Sequence, residues 1–110
     1  MKKEIIAMPM ANELIMIIPS NICYCQSDGN FTKVFLIDGI EYFISKQLKS
    51  FEKILPKLNF LRVHKGYIVN RNCIQKFIKN DSQLLLNNGK LIPLAKRKKN
   101  LLPEAFMFLE

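Results

Sequence analysis

The densest chemical feature of this 110-residue chain is a concentration of positive charge. Between Phe60 and Asn100 it has ten lysine or arginine residues and one acidic residue, Asp81, whereas the rest of the chain has seven basic and eight acidic residues. Positive charge concentrated in this way favours a polyanion as binding partner. A lysine-rich surface that only maintains solubility would have the same composition, so charge alone leaves both interpretations open.

The run Lys96-Arg97-Lys98-Lys99 is the strongest electrostatic feature within that stretch. Four adjacent cations repel one another, and the repulsion costs stability unless a polyanion neutralises them for part of the time. The alternative interpretation is a charged helix start exposed to water. We predict that this run, which follows a predicted strand, contacts a polyanion.

A second polar group, His64, Lys65 and Gly66, lies between two runs of alternating apolar residues. The alternation predicts two strands, so the three residues would form an exposed turn that can reach into a groove. His64 could instead order this turn by hydrogen bonding, and Lys65 could be solvated only. Asn70 precedes a loop, and we expect its side chain to bond turn backbone rather than a ligand.

Asn30, Phe31 and Lys33 form a third candidate contact, at and after the tip of a predicted hairpin. An aromatic residue at such a tip is as often part of the core as of a binding surface. The sequence therefore indicates three separate polar or cationic turns as candidate binding elements.

Side chains suited to catalysis are sparse. The nine carboxylates are scattered singly, with no Asp-x-Asp or Glu-x-x-His pair of the kind that holds a catalytic metal. The chain also lacks a serine nucleophile elbow and a glycine-rich phosphate-binding loop. We therefore predict a protein that is not an enzyme and that uses no metal or cofactor.

Three cysteines, Cys23, Cys25 and Cys73, are an odd number and include one pair two residues apart. In a strand that spacing places both side chains on one face, where they cannot easily bond to each other. We interpret all three as reduced, buried thiols of a cytoplasmic protein. A zinc site with His64 and a redox-sensing thiol are the alternatives, and the ligand spacing does not support the first.

Turning to the elements that must position these groups, short β-branched or aromatic runs alternate with turn residues, which is typical of an all-β domain. Asp28-Gly29-Asn30, Asp38-Gly39 and Asn87-Asn88-Gly89 supply the positive φ angles that tight hairpins need. The predicted strands are Glu4–Met8, Glu13–Ile18, Ile22–Gln26, Phe31–Ile37, Ile40–Ile44, Leu61–His64, Tyr67–Val69, Cys73–Ile78, Gln83–Leu86 and Lys90–Leu94.

One segment has helical periodicity instead. After Ser45, a plausible N-cap, apolar residues recur at helical spacing until Pro56 ends the run, namely Leu48, Phe51, Ile54 and Leu55. Lysines on the opposite side allow a membrane-surface interpretation, but a short amphipathic helix that covers one face of the sheet is favoured. A second helical segment is expected after Ala95, limited by Pro103 to one or two turns.

Length and composition agree with one ordinary globular domain over residues 1–110. The chain is 49% hydrophobic and 24% charged, and 110 residues leave no room for a second core. The longest apolar run, Leu14–Pro19, is far shorter than a bilayer span. The lysines at the start are followed by breaks at Pro9 and Asn12 rather than by a secretory signal, so we predict a cytoplasmic protein.

At the level of whole motifs, the chain resembles a LytTR-type bacterial DNA-binding domain. The block Phe-Leu-Arg-Val-His followed by Tyr-Ile-Val-Asn is its most specific part. Gly66 and Ala95 stand where the family commonly has serine, so two hydroxyls that could bind phosphate are absent. The resemblance is clearest over residues 21–99, and the matching stretches are Tyr24–Val34, Leu48, Leu55–Pro56, Asn59–Asn70 and Asn88–Lys99.

The resemblance implies a mostly-β fold of about ten short strands in small packed sheets, with a short amphipathic helix and a short C-terminal helix. It implies that inter-strand loops, rather than a recognition helix, enter successive major grooves. Carried onto this sequence, the base-contacting positions are Asn30 and Phe31, Lys65 beside His64, and Arg97. The remaining cations of these turns, which would neutralise phosphates, are Lys33, Lys96, Lys98 and Lys99.

The function that follows is sequence-specific binding of double-stranded DNA by a bacterial transcriptional regulator, on paired repeat sites that two copies could occupy. Because nothing precedes the resembling region, we expect control by a separate sensor or regulatory protein, by abundance, or as part of a longer regulator. The alternative is a small basic β module that binds RNA or an acidic protein partner. Readers of single-stranded RNA usually expose several aromatic rings, whereas most aromatics here lie in apolar runs.

Overall fold

The computed structural model describes residues 4–110 and has ten strands and two short α-helices, which confirms the predicted mostly-β fold. Every predicted strand is present, with its ends within two residues of the expected bounds. Residues 1–3, part of the argument against a secretory signal, lie outside the described residues. The strands are β1 (Ile6–Met10), β2 (Glu13–Ile17), β3 (Ile22–Asp28), β4 (Phe31–Leu36), β5 (Glu41–Ile44), β6 (Phe60–His64), β7 (Tyr67–Asn70), β8 (Ile74–Ile78), β9 (Gln83–Leu86) and β10 (Leu91–Pro93). The helices are α1 (Leu48–Ile54) and α2 (Leu101–Ala105), and 3-10 turns span Pro19–Asn21, Arg71–Cys73 and Lys96–Lys98.

Antiparallel pairing arranges these strands in three sheets. The largest has the order β5-β4-β3-β7-β6, a second has the order β10-β9-β8, and β1 and β2 form a separate hairpin. Helix α1 connects β5 to β6, so the chain crosses from one edge of the five-stranded sheet to the other. The helix can therefore cover one face of that sheet, as the amphipathic pattern predicted.

Two hydrophobic cores lie on opposite faces of the five-stranded sheet. Val34 and Ile68 belong to the core shared with α1 and the β1–β2 hairpin. Val69, the next residue along β7, belongs instead to the core shared with the three-stranded sheet and α2. Alternate residues of a strand point to opposite faces, and full burial of an aliphatic side chain contributes ~1.5–3 kcal/mol. A sheet buried on both faces explains the nearly continuous apolar strands of the sequence.

The cysteines are buried as predicted, but the prediction that Cys23 and Cys25 share a face is wrong. The register between β3 and β4 shifts between Ile22 and Tyr24, so a β-bulge at Cys23 interrupts the alternation. Cys23 packs with Cys73 in one core and Cys25 packs in the other. Burial raises the pKa of both Cys23 and Cys25 to about 12, so these thiols stay protonated at neutral pH.

The three hairpins predicted from turn residues are formed. Gly29, for example, has a φ of 63° at the tip that joins β3 to β4. Two further turns use residues that gave no such signal, since Ala11 and Ser82 adopt φ values of 54° and 50°. Ser82 compensates with a hydrogen bond from its hydroxyl to the carbonyl oxygen of Leu94, at 2.8 Å.

Helix α1 begins later than predicted. Its N-cap is Gln47 and not Ser45, and no side chain caps it. The hydroxyl of Thr32 donates to the carbonyl oxygen of Lys46 at 2.7 Å, which ties the chain to β4 directly before Gln47, whose backbone is extended. Leu48 and Phe51 pack in the core and are not available to a membrane, whereas Ile54 of the predicted apolar face is 58% exposed. Within residues 4–110 no helix is long and apolar enough to cross a membrane.

The expected C-terminal helical segment is divided in two. A 3-10 turn over Lys96–Lys98 comes first, and α2 follows with Pro103 as its third residue. Proline is tolerated there because the N–H groups of a first helical turn have no intrahelical partner. Leu102 anchors α2 in the core.

Candidate nucleic-acid interface

Two of the three predicted contact turns are neighbours at one end of the five-stranded sheet. Strand β3 ends beside the start of β7, where Gln26 pairs with Tyr67. One residue further on, the N–H of Ser27 donates to the carbonyl oxygen of Gly66 at 2.9 Å. The β3–β4 tip and the β6–β7 turn therefore lie side by side.

The third segment starts next to the same hairpin. The N–H of Ala95 donates to the carbonyl oxygen of Val63 at 2.9 Å, two residues before the β6–β7 turn begins at Lys65. Lys96–Lys98 follows directly, so its 3-10 turn begins beside the end of β6. Main-chain hydrogen bonds thus anchor segments far apart in the sequence around the β6–β7 hairpin.

At the β3–β4 tip, the candidate Phe31 is exposed rather than part of a core. Its ring stacks on that of Phe43, with centroids 4.6 Å apart and planes inclined by 12°. The two residues are 38% and 45% exposed, which makes this pair an aromatic surface beside the tip. Asn30 accepts a hydrogen bond from the side chain of Gln47 at 3.1 Å.

Phe43 was missed by sequence reasoning because its position depends on strand register. Thr32 pairs with Ile44 and Lys33 pairs with Phe43, which puts Phe31 diagonally across from Phe43 on one face. The Asp38-Gly39 turn sets that register, so the juxtaposition could have been deduced from the hairpin. Lys33 itself lies 3.9 Å from a carboxylate oxygen of Asp28, a solvent-exposed pair of small energetic value.

The β6–β7 turn is ordered by its own histidine. Nδ1 of His64 accepts a hydrogen bond from the N–H of Gly66 at 3.1 Å, and the ring contacts Tyr67 edge to face at 5.7 Å between centroids. Because Nδ1 is the acceptor, the neutral ring carries its proton on Nε2, which stays a donor. Lys65 at the apex of the turn is exposed. The hydrogen-bonding role that the sequence allowed for His64 is therefore observed.

The expectation for Asn70 is confirmed. Its Oδ1 accepts from the N–H of Asn72 at 2.9 Å, and its Nδ2 donates to the carbonyl oxygen of Ile22 at 2.9 Å. The side chain is buried and caps the 3-10 turn that follows β7. It holds backbone and does not face a ligand.

The Lys96–Lys98 turn is held mainly by backbone. The N–H of Lys98 donates to the carbonyl oxygen of Ala95 at 2.8 Å, and Ala95 is an N-cap without a capping side chain. Lys96, Arg97 and Lys99 are exposed, whereas Lys98 is partly buried. Serine at position 95 would supply the capping hydroxyl that alanine lacks.

Arg62 is a second residue that sequence reasoning missed, since it entered the charge count and the Phe-Leu-Arg-Val-His block but was given no role of its own. It is partly buried, forms an ion pair with Glu52 of α1, and donates to carbonyl oxygens of the β6–β7 turn. No short-range signal in the sequence pairs Arg62 with Glu52. Within residues 4–110 no group of three His, Cys, Asp or Glu side chains is placed to hold a metal ion.

A basic β domain that offers three adjacent turns at one sheet end has the architecture of a DNA-binding module. The family model of the LytTr DNA-binding domain matches residues 12–107, so the chain belongs to this family. The resemblance stated from the motifs is thereby confirmed, and DNA binding in transcription regulation is the function of this domain class.

Individual relatives agree. The chain is 26% identical over 98 residues to the sensory transduction protein LytT of Enterococcus faecalis, covering 86% of this chain and 40% of that protein. It is 28% identical over 94 residues to LytT of Bacillus subtilis, covering 83% of this chain and 39% of that protein. The chain thus spans about 40% of the length of these relatives.

A solved structure has the same fold. The LytTr DNA-binding domain of a Bacillus cereus response regulator superposes with a TM-score of 0.78 at 24% identity, covering 97% of this chain and all of that one. The similarity confirms the arrangement of small antiparallel sheets. At that level of identity it supports the fold and not the individual contact residues.

Proposed function

We propose that this chain binds specific sites in double-stranded DNA by inserting its turns into the major groove, as a single domain over residues 1–110 without catalytic activity. The observation that carries the proposal is the pair of main-chain hydrogen bonds from Ser27 and Ala95 that join the three turns to one hairpin. Turns fixed to one another can meet one duplex together. The proposed contact residues are Asn30, Phe31, Lys33, His64, Lys65, Lys96, Arg97, Lys98 and Lys99.

The proposed roles follow from side-chain chemistry. Arg97 is exposed and has the planar donor fork that pairs with O6 and N7 of guanine, a contact worth ~1–3 kcal/mol of discrimination. Lys65 at the turn apex and Nε2 of His64 supply further donors. Phe31, supported by Phe43, offers an apolar edge suited to the methyl group of thymine.

The lysines supply the electrostatic part of the proposal. Lys33, Lys96, Lys98 and Lys99 would neutralise phosphates, which fixes the register of the protein on the duplex without reading sequence. Lys33 is partly neutralised by Asp28, so the larger contribution belongs to the run that ends at Lys99.

Two copies on paired repeat sites, and a separate sensor or regulatory protein, complete the proposal. The two relatives carry the name sensory transduction protein, which supports a place in signalling.

A second candidate, binding to single-stranded nucleic acid, is favoured only by the exposed pair of Phe31 and Phe43. The two rings stack on each other, so each offers one face at most to a base, whereas single-strand readers usually stack several bases. Duplex DNA is the better match to this surface.

Selection of bound duplexes from a random pool tests the proposal. We expect a shared motif to emerge, and the logarithm of the affinity for that motif should fall linearly with the logarithm of salt concentration. A pool that stays random, or tighter binding to single-stranded RNA of the same length, would contradict the proposal.

A further inference from the structure

We propose that Arg62 is a positioning residue for DNA recognition, which fixes the β6–β7 turn and does not itself contact DNA. The inference rests on the proposed function and adds to it a residue that reads no base and binds no phosphate. We call Arg62, Glu52 and the two carbonyl oxygens that Arg62 binds the Arg62 brace.

The guanidinium of Arg62 binds two consecutive carbonyl oxygens of the turn. Nε donates to the oxygen of His64 at 3.0 Å, and Nη2 donates to the oxygen of Lys65. One edge of a rigid planar group therefore fixes the direction of both peptide units. Since the orientation of these peptides sets where the Lys65 side chain begins, Arg62 sets the position of a proposed DNA contact.

The opposite side of the guanidinium is held by helix α1. Nη1 donates to Oε1 of Glu52 at 2.7 Å, within a charge-assisted hydrogen bond. Phe51, the neighbouring residue on α1, is buried in the core, so the helix is a fixed anchor. The Arg62 brace thus connects the hydrophobic core to the exposed turn.

The turn needs this support because the strand ladder is irregular directly before it. The register between β6 and β7 shifts between Arg62 and His64, a β-bulge that loosens the alignment of the last pair. Gly66 forms two hydrogen bonds of its own. Its N–H donates to Nδ1 of His64, and its carbonyl oxygen accepts from the N–H of Ser27. Side-chain or cross-strand hydrogen bonds therefore hold each residue of the turn.

Arg62 differs from the proposed DNA-contacting cations of the basic stretch in its exposure and its ion pairing. Its side chain is 22% exposed and its charge is matched by Glu52, whereas Lys65 and Arg97 are exposed. Three of its five N–H groups are already engaged within the protein. Arg62 is therefore a poor phosphate ligand and an effective support.

The substitution Arg62→Lys tests the inference, because lysine keeps the charge but cannot bond both carbonyl oxygens and Glu52 at once. We expect about tenfold weaker binding to the selected duplex, which corresponds to the loss of one charge-assisted hydrogen bond. Binding to a scrambled duplex should change less than twofold, and the salt dependence should keep its slope. Glu52→Gln should have the same pattern with a smaller loss of about threefold.

Arg71→Lys is the matched control. Arg71 also donates to a backbone carbonyl oxygen, that of Ala105 at 3.0 Å, but on the C-terminal segment rather than on the turn. We expect it to leave discrimination between the selected and scrambled duplexes unchanged. If Arg62→Lys has no more effect than this control, the brace does not position the turn.

A second variant separates positioning from direct contact. In Arg62→Met the charge is lost as well, and a positioning role predicts that the slope of affinity against salt still does not change. An equal loss on both duplexes with a slope reduced by about 0.9 would show that Arg62 neutralises a phosphate, which overturns the inference.

Amide hydrogen exchange without DNA provides the readout that does not depend on the proposed function. In Arg62→Lys the amides of Lys65 and Gly66 should exchange faster, while those of the buried strand residues Ile68 and Val69 keep their protection. Unchanged exchange at the turn would overturn the brace even if DNA binding is lost. Failure of the unaltered chain to bind any duplex would instead contradict the proposed function and leave the exchange result to decide the brace.

Discussion

The β6–β7 turn and the Lys96–Lys99 segment have adjacent places in the fold but are built in different ways. The side chains of His64 and Arg62 form hydrogen bonds with the backbone of the β6–β7 turn, and Arg62 also bonds to Glu52 of α1. The Lys96–Lys99 segment is held by main-chain hydrogen bonds, and among the described residues its four side chains form no hydrogen bond or ion pair. The comparison indicates that this domain holds one turn in a fixed geometry and concentrates positive charge in a different segment.

The difference matches what each region is proposed to do. A lysine at an open turn is a flexible donor, so its placement depends on the backbone beneath it. Arginine carries a rigid fork of its own, and neighbouring lysines that attract phosphate need little fixed geometry. The braced turn is thus suited to placing a contact, and the basic segment to attracting the polyanion.

Removing the lysines of the basic segment should have the largest effect on affinity. We expect the combined substitution of Lys96, Lys98 and Lys99 by alanine to weaken binding to selected and scrambled duplexes alike, by more than about 100-fold at low salt. The salt slope should fall by about 2.7, or roughly 0.9 for each lost phosphate contact. Titrations of both duplexes at several salt concentrations measure this, and a loss confined to the selected duplex would assign base reading to these lysines.

Arg97→Ala should have a smaller effect on affinity and a larger one on specificity. We expect the preference for the selected over the scrambled duplex to fall by ~1–3 kcal/mol, because the guanine contact is lost. Competition between the two duplexes measures that preference directly. Lys99→Ala is the control, and if Arg97→Ala reproduces its equal loss on both duplexes, Arg97 binds a phosphate.

The smallest effect is expected from a substitution that gives the basic segment a side-chain hydrogen bond. In Ala95→Ser the hydroxyl can cap the 3-10 turn, and a cap of this kind contributes ~0.5–2 kcal/mol. We expect a gain of about two- to fivefold in affinity and a higher melting temperature. The unaltered chain, in which Ala95 adds no hydroxyl, is the reference, and an unchanged melting temperature in Ala95→Ser would exclude a capping effect.

Much of this fold could be predicted from local sequence, because alternation and turn residues are short-range signals. The five-stranded sheet is buried on both faces, and its apolar runs were assigned to strands within two residues of the observed ends. The bulge at Cys23 has no such signal, because it arises from the pairing of β3 with β4. It places the Cys23 side chain on the face opposite to the one predicted. Ala11 and Ser82 likewise adopt turn conformations that only the surrounding hairpins impose.

The candidate site was predictable to the extent that it consists of charge and loop position. Lys65 and Arg97 could be selected because their residue types and places at strand ends suffice. Arg62 could not, because its role depends on a contact with α1. Phe43 could be found only by deriving the register of β4 and β5 from the Asp38-Gly39 turn. Residues that support a contact are specified by strand pairing and tertiary contacts, which local sequence patterns do not indicate.

The measurement that tests the central claim most directly is amide hydrogen exchange of the chain with and without the selected duplex. If the three turns meet one duplex together, protection should rise at residues 29–31, 64–66 and 96–99 in parallel, and the outer residues of β1 and β2 should stay unchanged. Protection confined to one of the three turns, or centred on the β1–β2 hairpin, would contradict the account.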